Sequence, residues 1–373
     1  MPAGSVLITG ADGYLGRRVA ERLLRTSDAK LALWVHANNS EALRAKQERF
    51  AGLERGFSGR LTLCGGDLAD ADPFASVDRA TISAIIHSAA VTRFNVDAAT
   101  ADAVNVAGTE KALQWAGRCS GLQSFTFLSS VYASGLAVGP VEETVIGNRP
   151  AFANHYERSK WESENLLTER FASLPWRMVR IATAIADNES GQVTQLNAVH
   201  NTLKLFYYGL LSLVPGVPKA PLYLVTGDFA AEAVCRAAQA GENRGIYHVS
   251  PNEAQAITLG DFIDRAFAVF MQQPDFSQRR VLKPLFSDLE SFDLLAGETQ
   301  AFSGGVVAQA VGSIAPFARQ LFVMKRVGNE RLRALMGTGG QWNLPELTDQ
   351  TCRYLARTRW GKITDGTAVR AGA

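Results

Sequence analysis

The sequence predicts an α/β fold, a doubly wound parallel sheet with a smaller, mostly helical C-terminal lobe. Three observations carry that expectation. Short apolar runs at residues 5–8, 31–35, 61–64, 84–87, 125–129 and 178–182 alternate with segments of helical spacing, the alternation that builds a parallel sheet with helices on both faces. A glycine triplet, Gly10, Gly13 and Gly16, falls where the first of these runs meets the first helical segment. From about residue 186 the rhythm changes.

The first run reads as a buried strand and residues 17–24 have helical spacing, so Thr9-Gly10-Ala11-Asp12-Gly13-Tyr14-Leu15-Gly16 occupies a strand-to-helix turn. Gly10 there permits a tight turn, Gly13 lets backbone N–H groups approach a pyrophosphate, and Gly16 lets helix and strand pack closely; the helix N-terminus favours the anion. Turn glycines of an ordinary loop would give the same triplet, but the flanking strand and helix favour a dinucleotide site. Further helices are expected at 101–116 and 156–171. The stretch 197–213, ended by Val214-Pro215-Gly216-Val217-Pro218, is apolar on several sides, so it either lines a pocket or packs on the core. The tail from about Thr364, rich in small residues, is expected to fray.

At 373 residues, with 47% hydrophobic and 20% charged, the chain can bury a large core. Its net charge of +2 provides no global field for nucleic acid, which is not expected as a partner. Cys64, Cys119, Cys235 and Cys352 lie far apart and the five histidines form no close pair, so no metal site or disulfide framework is expected. The first strand begins almost at once, which argues against a signal peptide and for a cytoplasmic protein. Residues 299–318 carry no charge, but their Gly, Ala, Ser and Gln content and Pro316 argue against a transmembrane helix.

The spacing Gly-x-x-Gly-x-x-Gly is one residue longer in its first interval than that of common dehydrogenases. It resembles the extended branch of the short-chain dehydrogenase/reductase superfamily, and other segments fall where that family would place them. Gly66-Asp67-Leu68 ends a strand-like run, His87-Ser88-Ala89-Ala90 ends the next, Asn105-Val106-Ala107-Gly108-Thr109 starts a helix, and Tyr156-Glu157-Arg158-Ser159-Lys160 follows. Within the superfamily the chain is similar to the thioester-reductase and fatty acyl-CoA reductase group, through Gly59-Arg60-Leu61, His87 to Phe94, Ser129-Ser130-Val131-Tyr132 and Asn154 to Glu162. Three positions depart from it: Ser130 for the usual Thr, Ile181 for a Pro, and a loosely matching turn at 186–191.

The resemblance implies a Rossmann-type domain at 1–185, completed by 223–250 where the chain returns to the sheet, and a substrate-binding lobe from 186–222 and 251–373. It implies cofactor contacts at Thr9, Gly10, Asp12, Gly13, Tyr14, Leu15, Gly16, Asp67, Leu68, Ser88, Ala89, Ala90, Asn105, Tyr156, Lys160 and Ile181. The position about twenty residues beyond the glycine loop, where a carboxylate would bind the ribose 2′-OH of NAD, falls on His36. Arg17, with Arg18, His36, Asn38 and Arg44, could instead surround a 2′-phosphate. NADP(H) is therefore expected ahead of NAD(H). Arg18 is also readable as a solvated residue of the helix's first turn.

A carbonyl that accepts hydride needs a proton and stabilisation of its negative charge. Lys160, one helical turn beyond Tyr156, is placed to acidify the phenol, and Ser130 to hold the carbonyl oxygen; Ser129, its strand neighbour, points the other way. Thr92, Tyr132, His155 and Thr183 are candidate substrate contacts, although His155 also reads as a solvated helix start. The function implied is an NADPH-dependent reductase of an acyl thioester, on coenzyme A or an acidic carrier protein, giving an aldehyde or further an alcohol. A ketone or alcohol oxidoreductase acting on sterol-like or nucleotide-sugar substrates is the alternative, and a non-catalytic cofactor sensor a third. Residues 301–373 hold ten Lys or Arg against four Asp or Glu, including Arg319, Lys325, Arg326, Arg331 and Arg333, which reads as a basic docking face or as a solvated helix face over an apolar stripe.

Overall fold

The computed structural model describes residues 4–301, 311–337, 343–363 and 370–371. All six expected strands form: β1 (Ser5–Thr9), β2 (Lys30–His36), β3 (Leu61–Gly66), β4 (Ile82–His87), β5 (Ser124–Ser130) and β6 (Trp176–Ile181), joined at one edge by β7 (Gly245–Val249). They pair in the order β3-β2-β1-β4-β5-β6-β7, every pair parallel. This is a Rossmann-like sheet, and the order reverses between β1 and β4. A crevice opens there beyond the carboxyl ends of the strands, the usual ligand position in such sheets.

Alternation along each strand divides the core into two layers. Val6, Ile8, Leu33 and Ile86 pack on one face with Val19 and Leu23 of the helix Tyr14–Thr26 and Val234 of the helix Gly227–Gln239. Leu7, Trp34, Ile85 and Phe127 pack on the other with Leu113 of the helix Gly108–Ala116. Both faces are covered, so the strands are near-continuous apolar runs. A third cluster holds the C-terminal lobe: Phe206, Tyr207, Phe270, Phe276 and Trp360 join the helices Ala198–Tyr207, Leu259–Met271 and Leu344–Arg357.

Three helix boundaries differ from expectation. The helix expected from residue 101 begins at Ala98, because the Asp97 carboxylate accepts the Thr100 N–H at 2.8 Å. It then widens into a π-helical stretch, Ala101–Ala107, before Gly108–Ala116, so Asn105 lies inside a helix instead of opening one. The helix expected at 156–171 starts at His155, capped by Asn154 accepting from Glu157 N–H at 3.0 Å, and continues as π-helix over Leu166–Arg170. The stretch 197–213 is helical only over Ala198–Tyr207: Gly209 turns the chain at φ +72°, and Leu213–Pro215 pairs as a strand with Leu285–Ser287.

The uncharged stretch 299–318 lies outside the described residues over 302–310, as does the tail from Thr364 apart from 370–371. Among the described residues no helix is long and apolar enough to cross a membrane. The four cysteines are buried and free.

The polar interaction that fixes the helix from His155 against the sheet is fully buried. Arg180 on β6 donates two parallel hydrogen bonds to the Glu164 carboxylate, at 2.9 and 2.7 Å, and Ser129 on β5 donates to the same carboxylate at 2.5 Å. Removing one partner strands the other charge in the interior, at a cost of about 3–5 kcal/mol. Arg180→Ala is therefore expected to lower chemical-denaturation stability by that amount, whereas exchanging the exposed, ion-paired Lys283 for Ala is expected to change it by about 1 kcal/mol or less.

Candidate active site

The turn after β1 has the close approaches its glycines predict. Gly10 adopts φ +65°, and a Cβ there would sit 2.8 Å from Ala89 Cα; a Cβ on Gly16 would sit 2.2 Å from the Gly10 carbonyl oxygen. Gly13 caps the helix Tyr14–Thr26, which has no capping side chain and no acidic residue in its first turn. Backbone donors and the positive end of the helix dipole are thus left for an anion. Thr9 takes a different part. It is fully buried, its hydroxyl bonding His87 Nδ1 at 2.8 Å and accepting the Ser88 and Ala89 N–H groups at 3.1 Å. It therefore ties β1 to β4 behind the turn and does not reach the cavity wall.

A cavity of about 990 Å³ runs across the ends of the strands. Gly10, Asp12, Gly13, Tyr14 and Leu15 line it, with His36, Asp67, Leu68, Ser88, Ala89, Ala90, Ser130, Tyr156, Lys160 and Ile181. The candidate substrate contacts Thr92, Tyr132 and Thr183 line it too. So do Ala198, Val199 and Asn201, while Leu203 and Phe206 on the same helix enter the lobe core. That helix both lines the pocket and packs on the core.

Six further candidates lie off the wall. Gly16 packs helix on strand. Arg17 turns away, its Nε bonding Glu21 at 2.9 Å and its guanidinium lying over the Phe50 ring. Asn38 is exposed past the end of β2. Asn105 is buried: its side chain clasps Val91 through the N–H (2.8 Å) and the carbonyl (2.9 Å) and donates to Ser159 (2.9 Å), so it holds the loop after β4 against the helix from His155. His155 is exposed, because the first helical position points to solvent while Tyr156 turns inward. Arg18 is not solvated. It pairs with Asp187 at 2.6 Å and covers the Tyr14 ring, whose hydroxyl also donates to Asp187 at 2.9 Å.

Ser130, Tyr156 and Lys160 meet in the cavity. Ser129 and Ser130 do point to opposite sides of β5: Ser129 faces Glu164, whereas the Ser130 hydroxyl donates to the Ile181 carbonyl at 3.3 Å and lies beside the Tyr156 phenol. Tyr156 is not acidified in this arrangement. Burial pushes its pKa up to about 12, partly offset by the Ser130 hydrogen bond, so the phenol keeps its proton at neutral pH. The Lys160 ammonium donates instead to the Leu128 carbonyl at 3.0 Å and lies over the Phe127 ring; burial lowers its pKa to about 8, against the opposing pull of Glu164. His87, buried with a pKa lowered to about 3, stays neutral and bonds Thr9 on one side and Thr109 on the other, at 2.8 and 3.1 Å.

Sequence reading gave no role to several residues that complete the wall. Phe94 packs edge-on against both Tyr156 and Tyr132, with ring centroids 5.7 and 5.6 Å apart, and tilts against Phe317 at 5.9 Å. Phe317 and Pro316 come from a segment stitched to the start of the Tyr156 helix: Asn154 donates to Pro316 O at 2.9 Å, and Gln320 donates to Glu157 at 2.9 Å. Lys325 is only 5% exposed, donating to Gly135 O at 2.7 Å near the buried Glu157, so it cannot belong to a docking face. Of the other basic residues expected there, Arg319, Arg326 and Arg331 face Asp293, Glu253 and Glu242. Phe94 carried a signal in its motif, but the segment 316–325 carried none.

Residues 8–234 match the family described as male sterility protein. The chain belongs to that family. The match takes in the glycine turn, the strands β2 to β6 and the Ser130–Tyr156–Lys160 cluster, while β7 lies beyond it. The chain is 27% identical over 308 residues to a carboxylic acid reductase of Mycobacterium tuberculosis (strain ATCC 25618 / H37Rv), covering 70% of this chain but 25% of that enzyme. In fold it is similar to the terminal R domain from the myxalamid PKS-NRPS biosynthetic pathway, with TM-score 0.74 and 20% identity over 98% of this chain and 94% of that one. It is similar also to a thiolation-reductase di-domain from an archaeal non-ribosomal peptide synthetase, with TM-score 0.70 and 17% identity over 96% and 76%.

The buried Lys160 gives a pH prediction for this family member. Between about pH 8 and the ordinary value of 10.5 the unfolded chain holds a proton that the folded site has released, so Lys160 makes stability rise with pH across that window and fall as pH drops through 8. Denaturation midpoints at pH 7 and pH 10 are expected to differ less in Lys160→Met than in the parent.

Proposed function

We propose that the chain is an NADPH-dependent reductase of acyl thioesters, held on coenzyme A or a carrier protein, that releases an aldehyde. The observation that carries the proposal is the convergence of Ser130, Tyr156 and Lys160 in one cavity with a glycine cradle at an uncapped helix N-terminus. The cradle fits a pyrophosphate, because an added Cβ at Gly10 would collide with the Ala89 backbone after β4 and one at Gly16 with the turn's own backbone at Gly10, so only glycines keep this close-packed turn. A carboxylic acid reductase among the relatives, and a reductase beside a thiolation domain among the structural neighbours, support a carrier-bound acyl substrate. β2 ends on His36, whose ring bonds the Asp67 carboxylate at 3.1 Å, and the strand itself offers no carboxylate to a ribose 2′-OH, which supports NADPH over NADH.

The nicotinamide would supply the hydride. Ser130 would hold the thioester carbonyl oxygen beside the Tyr156 phenol, and the phenol, kept protonated by burial, would give its proton to the oxygen as negative charge develops. Lys160 would release the Leu128 carbonyl to bond the nicotinamide ribose and stabilise the phenolate left behind. The resulting hemithioacetal loses its thiol: the C–S bond breaks, the hydroxyl proton passes to sulfur, and the aldehyde remains. The thioester gains two electrons and two hydrogens in all. Burial keeps the four cysteine thiols protonated and none lines the cavity, so no acyl-cysteine is invoked.

NADPH oxidation with a panel of acyl thioesters, beside the matching aldehydes and ketones, tests this reading. Tyr156→Phe is expected to lower thioester turnover by about 10²–10⁴-fold. Turnover confined to free carbonyls would replace it with a carbonyl reductase. His36→Asp is expected to shift the ratio of NADPH to NADH affinity toward NADH, measured by titrating each against the purified protein. With Tyr156 protonated throughout, kcat/KM is expected to fall above about pH 8 as Lys160 loses its proton, a limb that Lys160→Arg should move to higher pH.

A further inference from the structure

Beside the large cavity lies a smaller one of about 80 Å³. The two share Phe94, Tyr132, Thr183, Ala198, Val199 and Phe317, so the smaller is a side chamber of the larger. It shares no residue of the glycine turn, and Val131 in its wall directly follows Ser130. The chamber therefore opens beside the reacting centre, on the side away from the cofactor cradle.

Its lining is apolar over Val131, Val199, Leu222, Leu224, Leu321 and Val323. The polar groups that reach it are already engaged with one another. Tyr132 and Thr183 share a hydrogen bond of 3.1 Å. The Tyr223 hydroxyl donates to Lys325 O at 2.6 Å and accepts from Val327 N–H at 3.1 Å, while Lys325 and Gln320 both donate to Gly135 O at 2.7 and 3.0 Å. A guest there meets hydrocarbon, and a polar end group would lose its water without a free partner. A space of 80 Å³ is about half the apolar cavity that holds benzene, enough for roughly three carbons.

We propose that this chamber receives the end of a short or branched apolar acyl group, and that Leu321, Val199 and Leu222 set the length accepted. The inference rests on the acyl-thioester reading. A thioester has two arms, and the sulfur arm leads to coenzyme A or a whole protein, so it must leave through the mouth near the exposed Thr92, Arg93 and Asn201. The side chamber can hold only the acyl arm. With the carbonyl carbon at Ser130 and Tyr156, butanoyl and 3-methylbutanoyl groups fill it, and longer chains have to displace Phe94 or Phe317.

The test is kcat/KM for acetyl, butanoyl, 3-methylbutanoyl, hexanoyl and decanoyl coenzyme A with NADPH, together with methyl ketones of matching length. The parent is expected to favour the four- and five-carbon acyl groups over decanoyl by tenfold or more, since each methylene that gains or loses a pocket is worth about tenfold or more. Leu321→Ala is expected to raise hexanoyl relative to butanoyl about tenfold, and Val199→Phe to lower butanoyl about tenfold relative to acetyl. NADPH affinity, read at the glycine turn with which the chamber shares no residue, should stay unchanged in both and reports that each variant is folded; Leu222→Ala replaces Leu321→Ala if that affinity is lost. A preference that is flat or rises through decanoyl, or variants that move all lengths equally, overturns the chamber. Turnover of ketones without any thioester overturns the acyl-thioester reading alone, and the same length dependence is then read in the ketone series.

Discussion

The arrangement of this protein depends on one buried constraint, the fork between Arg180 and Glu164. Two charges taken out of water must find each other in a narrow geometry, because neither has an alternative partner of comparable strength in the interior. Arg180 belongs to β6 and Glu164 to the helix from His155, so the fork sets how far along the sheet that helix lies. Ser129 adds β5 to the same carboxylate and leaves Ser130 facing the opposite side. Tyr156 and Lys160, two turns and one turn before Glu164, are thereby aimed at the carboxyl ends of β5 and β6.

A second set of buried polar contacts does the same for the other half of the crevice. The neutral His87 ring bridges Thr9 on β1 and Thr109 on the helix Gly108–Ala116, and Asn105 clasps the loop beyond β4. Sequence resemblance assigned Thr9 and Asn105 to the cofactor. Their place is one layer behind the cavity wall, where they hold the backbone of the loop after β4. A motif by itself does not distinguish contact from support.

The phenol shows how tertiary burial can reverse a local inference. An i,i+4 lysine should acidify Tyr156, yet desolvation raises it to about 12 and lowers Lys160 to about 8, with Lys160 turned to a backbone carbonyl. Low dielectric penalises phenolate and ammonium alike, and the opposing pulls come from Ser130 on Tyr156 and from Glu164 on Lys160 and do not overcome it. For the proposed reductase the outcome is useful, since the phenol proposed as proton donor holds its proton until charge appears on the substrate.

The sequence by itself determined the sheet, its parallel sense and the glycine turn, because these follow from short-range patterns: apolar runs bounded by turns, helical spacing, and glycines where a Cβ would strike backbone. It also determined which faces Ser129 and Ser130 take, since strand alternation has a period of two. Only the tertiary structure decided that Arg17 lies over Phe50, that His155 faces solvent and that Lys325 is buried near Glu157, because each depends on neighbours distant in the chain or on the exact phase of a helix start. The segment 316–325 makes the same point most clearly. Its contacts with Asn154, Glu157 and Gly135 span some 160 to 190 residues, and no local pattern in either segment encodes a partner that far away.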